Sequence, residues 1–156
     1  DNMLSALSRA TVKGARILTG GKRLTDEMHR DGYYLAPRVL ENVKPEDELS
    51  CTELFGPITA LYPVKDLEHA IRLANQSEYG LTAAIHTKNY HRAFEFARKV
   101  QSGVASINAG THGSEPHMPF GGVKNSGNGG REPGPEALDV YSNIKVIYHN
   151  MDPRLV

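Results

Sequence analysis

The feature that most constrains this chain is the order of its apolar patterns between residues 58 and 108. Ile58 to Val64 is an apolar run of strand length. Asp66 can cap a helix through its carboxylate, and Leu67, Ala70, Ile71 and Ala74 then fall on one helical face. Gly80 closes that unit, and Thr82–Thr87 reads as a second strand. Asn89 can cap the next helix, where Tyr90, Ala93, Phe94, Ala97 and Val100 share a face before Gly103 stops it. Val104–Asn108 is a third strand. Strand, helix, strand, helix, strand with short links predicts an α/β fold, a parallel sheet flanked by helices.

The flanks are less regular. Leu4, Leu7 and Ala10 recur at near-helical spacing and predict a helix over 2–13, ended by Gly14. Arg16–Thr19 reads as a short strand closed by Gly20-Gly21, and the charged stretch Lys22–Asp31 as a surface loop. Tyr33–Val43 is rich in strand formers, but Pro37 removes an amide donor, so an edge or broken strand is expected. From Ala109 to Pro135 glycine and proline dominate with no apolar period, and a loop of that length inside a domain is usually functional or disordered. In Ser142–His149, Ile144, Val146 and Tyr148 alternate with Asn143, Lys145 and Ile147, the pattern of a half-buried strand. The expected layout is a main body over 1–141, a terminal strand over 142–149 and a tail over 150–156.

Composition narrows the classes. At 156 residues the chain has the size of one domain, for which about 100–200 residues is usual. Lys+Arg and Asp+Glu are 18 each, so nothing advertises nucleic acid or an anionic membrane surface as a partner. No apolar run approaches the ~20 residues of a membrane span. No basic and apolar opening suggests a secretory signal, and the start at Asp1 fits a processed or truncated product. A single cysteine, Cys51, allows no intrachain disulfide and suits a reducing compartment, so a cytoplasmic location is expected.

Two motifs carry candidate chemistry. In Glu53-Leu54-Phe55-Gly56-Pro57 the carboxylate can accept two hydrogen bonds from a ribose diol, and the ring of Phe55 can lie against a flat heterocycle. The alternative is a helix-to-strand turn whose Phe55 is core. The second motif is Pro119-Phe120-Gly121-Gly122-Val123-Lys124-Asn125-Ser126-Gly127. It is not a P-loop, because Asn128 stands where the lysine after Gly127 is needed. Nor is it a dinucleotide fingerprint, because Glu132 stands where the third glycine would fall.

Glu-x-Phe-Gly-Pro, then Asn75-Gln76-Ser77-Glu78-Tyr79-Gly80-Leu81, then Pro-Phe-Gly-Gly-x-Lys-x-Ser-Gly resembles, in that order, the C-terminal part of the aldehyde dehydrogenase superfamily. The likeness runs from Gly14 to Tyr148. It implies part of a catalytic domain in an enzyme that oxidises an aldehyde to a carboxylic acid with NAD or NADP. In that chemistry a thiolate attacks the aldehyde and hydride passes to the nicotinamide. The resemblance implies that Glu53 holds the nicotinamide ribose and Phe55 flanks the nicotinamide ring. It further implies that Phe120 lines the substrate tunnel, with the loop Thr111–Met118, including His112, at its mouth. The strand 142–149 would then join a sheet of a partner subunit in a homo-oligomer, a dimer or tetramer.

Departures from the family pattern matter as much. The nucleophilic cysteine, the glycine-rich cofactor turn and the general-base glutamate of the family belong upstream of Asp1, so the chain alone is expected to be inactive. Cys51 lies where the family has no nucleophile. Gly130 lengthens Ser-Gly-Asn-Gly-Arg-Glu by one residue, as in some semialdehyde-oxidising branches. Asn143 is neutral where many members place an acid to pair with the arginine matching Arg131. His112, Glu115 and His117 have the residue types of a zinc site without a known spacing; a structural or solvent role, or recognition of a polar group on the aldehyde, are the other readings. Rival functions are a non-catalytic α/β association module and a reductase of acyl phosphates on the same scaffold.

Overall fold

The computed structural model describes residues 2–152 and 154. Residue 1 of the expected main body and residues 153, 155 and 156 of the expected tail lie outside the described residues. Helix α1 (Asn2–Val12) buries Ala6, Leu7 and Ala10 on one face. Leu7 and Ala10 pack with Ala15, Leu40 and Val43 at the centre of the core, and Leu40 is fully buried.

The sheet beneath α1 has the order β1 (Arg16–Thr19), β2 (Arg38–Glu41), β3 (Ile58–Leu61). β1 and β2 run antiparallel, and β2 and β3 parallel. β2 is therefore the central strand, which corrects the edge position expected from Pro37. The reason is local. Pro37 stands one residue before the ladder begins, and the first donor, the Arg38 amide, reaches the Pro57 carbonyl at 2.8 Å. The missing amide proton falls outside the paired segment.

A four-residue helix, α2 (Glu48–Cys51), follows β2 and went unread in the sequence. It is tied to α1 by a two-pronged ion pair, Arg9 Nε to Glu48 Oε2 at 2.9 Å and Arg9 Nη2 to Glu48 Oε1 at 2.7 Å.

Helix α3 (Leu67–Asn75) starts as expected, with the Asp66 carboxylate accepting from the His69 amide. Beyond it come β4 (Tyr79–Gly80), β5 (Thr82–Ile85), α4 (Tyr90–Lys99) and β6 (Val104–Ile107). Asn89 caps α4 by accepting from the Arg92 amide. β5 and β6 pair in parallel across α4. β3 and β5 are not paired, so the expected single parallel sheet is divided. A third, antiparallel pair joins β4 to β7 (Val123–Lys124), inside the long loop. The buried face of α4 is Ala93 and Phe96, whereas Tyr90 and Phe94, expected inward, stack on each other in the open. Helix α5 (Ala137–Tyr141) closes the ordered elements.

The segment 142–149 pairs with nothing among the described residues, and its side chains are exposed, with Ile144 97% and Tyr148 95% open. This corrects the expected half-burial. An alternating strand buries one face only when a sheet or a second layer covers it, and no such cover is packed on this segment. The same holds for the chain at large. It exposes 12094 Å², against about 7,800 Å² for a compact monomer of this mass by size scaling.

The Arg9 guanidinium, chiefly by hydrogen bonding, holds the Glu48 carboxyl below its usual range. A carboxyl depressed in the folded state stabilises above its unfolded range, and that stabilisation is lost as pH falls through the folded value. Glu48→Gln should therefore lower stability at neutral pH and flatten its acid dependence. Urea midpoints for the two forms should converge at low pH; a gap that stays constant with pH would contradict this.

Candidate functional site

Glu53 enters the site from the end of α2. Thr52, the C-cap, is already extended at φ −109° and ψ 128°, so the chain leaves the helix and projects the next side chain away. The Glu53 carboxylate makes no hydrogen bond or ion pair among the described residues. It borders an open cleft of about 600 Å³. Two residues on, Phe55 adopts φ 53°. Left-handed backbone costs a non-glycine residue about 1–2 kcal/mol, and such strain clusters at ligand-holding sites. Phe55 is 87% exposed, so the reading of its ring as core is overturned. Gly56 lies against Met3, and a Cβ there would sit 1.8 Å from the Met3 methyl. Pro57 then hands the chain to β3.

Two other motif segments line the same cleft, with Tyr79 and Gly80 from one and Asn125 and Ser126 from the other. The Ser126 hydroxyl accepts from the Gly80 amide at 3.0 Å. The Asn125 amide donates to the Glu78 carbonyl at 3.1 Å. Lys124, itself at φ 52°, donates from Nζ to the carbonyls of Asn75 at 2.7 Å and Ser77 at 2.9 Å. Asn75 in turn donates to the Lys99 carbonyl at 2.9 Å and accepts from the Gln101 amide at 2.7 Å, joining the ends of α3 and α4. The glycines allow the loop to lie this close. A Cβ on Gly103 would fall 1.7 Å from the Gly121 carbonyl oxygen, and one on Gly122 would fall 2.2 Å from that of Ser126. The glycine-rich motif is thus a clasp between strands, and no phosphate cradle is needed to explain its composition.

Sequence reasoning named Glu53 and missed Asn75, Lys124 and Ser126 as the groups that tie the other cleft segments together. All three stood in recognised motifs, but the partners they bind lie 46 to 49 residues away for Ser126 and Lys124. No local pattern reports such pairings.

The remaining expected residues lie elsewhere. Phe55 is beside the cleft in sequence but is not part of its wall. Phe120 is half-buried and pinned through its backbone, donating to the Glu132 carbonyl at 3.0 Å and accepting from the Glu132 amide at 2.8 Å. Thr111 and His112 are exposed on the loop before it, and the His112 ring folds back over Gly110. His112, Glu115 and His117 form no group able to hold a metal ion among the described residues. Cys51 is exposed, its thiol pointing at the Pro45 carbonyl at 3.3 Å. A groove of about 690 Å³ beside Tyr90, Phe94 and Ile107 contains none of the motif residues.

The order of these motifs and the fold that joins them define the class. Residues 1–147 match the model of the aldehyde dehydrogenase family. The chain belongs to the aldehyde dehydrogenase family. It is 37% identical over 148 residues to an alpha-ketoglutaric semialdehyde dehydrogenase of Bacillus subtilis, covering 95% of this chain and 30% of that protein. It is 40% identical over 134 residues to a benzaldehyde dehydrogenase [NAD(+)] of Pseudomonas putida, covering 86% and 26%. Among solved structures it resembles a betaine aldehyde dehydrogenase from Staphylococcus aureus in complex with NAD+, at 35% identity and a TM-score of 0.83, covering 89% of this chain and 27% of that one. The chain thus spans less than a third of the length of these relatives.

The clasp makes a steric forecast. Gly103→Ala sets a methyl against backbone that has no room to yield. It should destabilise by more than Gly129→Ala, where nothing lies within 4 Å and only the positive φ is strained, at about 1–2 kcal/mol. Urea unfolding of the two variants checks the order; equal losses would show that the loop shifts freely.

Proposed function

We propose that this chain is the portion of an NAD(P)-dependent aldehyde dehydrogenase that seats the nicotinamide end of the cofactor. The observation that carries this is Glu53, whose carboxylate has no partner among the described residues and borders a cleft of about 600 Å³, two residues before a strained and exposed aromatic residue. The residues present fit the group. A carboxylate with both oxygens free can accept from two vicinal hydroxyls. The ring of Phe55, open to solvent in the isolated chain, can cover one face of a flat heterocycle. When bound, the nicotinamide accepts hydride from the substrate carbon.

What the chain's own residues add is orientation. Glu53 would hold the ribose hydroxyls and Phe55 would flank the ring, so that the two residues would orient the hydride acceptor. Positioning of this kind supplies several of the ~7–11 kcal/mol available from proximity. Phe120, Thr111 and His112 are assigned to the aldehyde side, where Phe120 is the anchored member and the preceding loop forms the entrance. Oxidation of an aldehyde to its acid is the reaction that the relatives' names support. The NAD+ held by the solved relative favours NAD over NADP. The layout proposed is a catalytic-domain portion over 1–141, an association strand over 142–149 and a tail over 150–156. A cytoplasmic setting is proposed from the single cysteine; among the described residues no helix is long and apolar enough to cross a membrane.

In the complete enzyme, Glu53→Gln should slow hydride transfer more than it weakens overall cofactor binding. Stopped-flow single turnovers measure the first and equilibrium titration the second; a normal hydride rate would sink the assignment. The isolated chain mixed with NAD+ and an aldehyde should give no reduced-nicotinamide absorbance, because the Cys51 thiol hydrogen-bonds to the Pro45 carbonyl, which cannot take its proton. Measurable turnover would show that thiol to be competent.

The unpaired segment 142–149 supports assembly with a second subunit by strand addition. Replacing Ile144 and Val146 with lysine in the complete enzyme should shift its sedimentation toward smaller species. An unchanged sedimentation coefficient would remove the segment from the interface.

A further inference from the structure

We propose that Lys124 is a positioning residue for hydride transfer, setting the part of the Glu53 cleft that Asn125 and Ser126 line; this rests on the nicotinamide reading above. Its ammonium is part-buried and divided between two carbonyls at the end of α3, Asn75 at 2.7 Å and Ser77 at 2.9 Å. The last carbonyls of a helix lack partners and carry partial negative charge, so a cation there satisfies two acceptors at once. No other side chain among the described residues donates to either of these carbonyls.

The consequence reaches the cleft because Lys124 sits in the middle of a short, closed loop. Its neighbours Asn125 and Ser126 line the same cleft as Glu53. Their own contacts, to Glu78 and Gly80, fall on the segment that Lys124 anchors. At the other end of the same motif, Phe120 is fixed by its reciprocal bonds to Glu132. The ammonium therefore sets one wall of the cofactor cleft and, through the loop, its register with the proposed aldehyde side. The left-handed backbone of Lys124 itself, at φ 52°, is held by these contacts. Strain retained at such a position marks geometry that the surrounding structure over-determines.

A purely structural lysine would move stability and leave the chemical step alone. Lys124→Met keeps the side chain's length and removes its charge. In the complete enzyme, below its melting temperature, this variant should slow single-turnover hydride transfer by about tenfold or more; a 1 Å misplacement can cost ~100-fold. The isotope effect with a deuterated aldehyde should rise as hydride transfer becomes limiting, while NAD+ affinity falls by less than the rate. Lys124→Arg, which keeps a cation, should recover part of the rate. Ser126→Ala provides a second reading if Lys124→Met does not fold, with a smaller loss in the same step. Unchanged hydride transfer in Lys124→Met, or in Ser126→Ala where the first is unfolded, overturns the proposal. Glu53→Gln run alongside separates the failures. If it slows hydride transfer and the Lys124 variant does not, this inference alone falls; if neither does, the nicotinamide reading falls too.

Discussion

The ammonium of Lys124, shared between two carbonyls at the end of α3, is the contact on which the second half of the structure depends. Around it the long loop between β6 and α5 becomes a clasp. Ser126 holds Gly80, Asn125 holds Glu78, and β7 pairs with β4. Hydrogen bonds to a charged donor contribute about 1.5–3 kcal/mol each when well made, and more is lost when a part-buried partner is left bare. Two such bonds from one side chain explain how a loop rich in glycine, which loses the most freedom on folding, stays in one conformation. The close approach of Gly103 to the Gly121 carbonyl shows the other side of that arrangement: backbone meets backbone where any side chain would intrude.

The second constraint is exposure. A compact body of this mass would show far less surface than the 12094 Å² found here. The excess is concentrated in features that have a use when covered. Tyr90 and Phe94 stack beside a groove, Phe55 is exposed two residues beyond Glu53, and Ile144 and Tyr148 extend from the terminal segment. The relatives are more than three times the length of the matched region.

Much of this was legible in the chain. α1, α3 and α4, with strands β1, β3, β5 and β6, followed from apolar period and from caps such as Asp66 and Asn89, because those signals are local. The failures are those of local signals. Pro37 demoted a strand that is central, since nothing nearby showed that pairing begins at the next residue. The inward face of α4 was placed on Phe94 when Phe96 is buried, because two aromatic residues two apart offer competing faces and only the neighbouring strands decide. The pair β4–β7 has two residues on each side, too few for any period. At the site, Glu53 and Phe55 were readable as residue types. The rest of the cleft that Glu53 borders was not, because it is made by contacts between segments far apart in sequence.

The most direct test of the central claim is a crystal structure of the complete enzyme with NAD+ bound. The account predicts both oxygens of Glu53 within hydrogen-bonding distance of the nicotinamide ribose hydroxyls, with the Phe55 ring near the nicotinamide. A nicotinamide ribose seated elsewhere, with Glu53 still facing solvent, would contradict it.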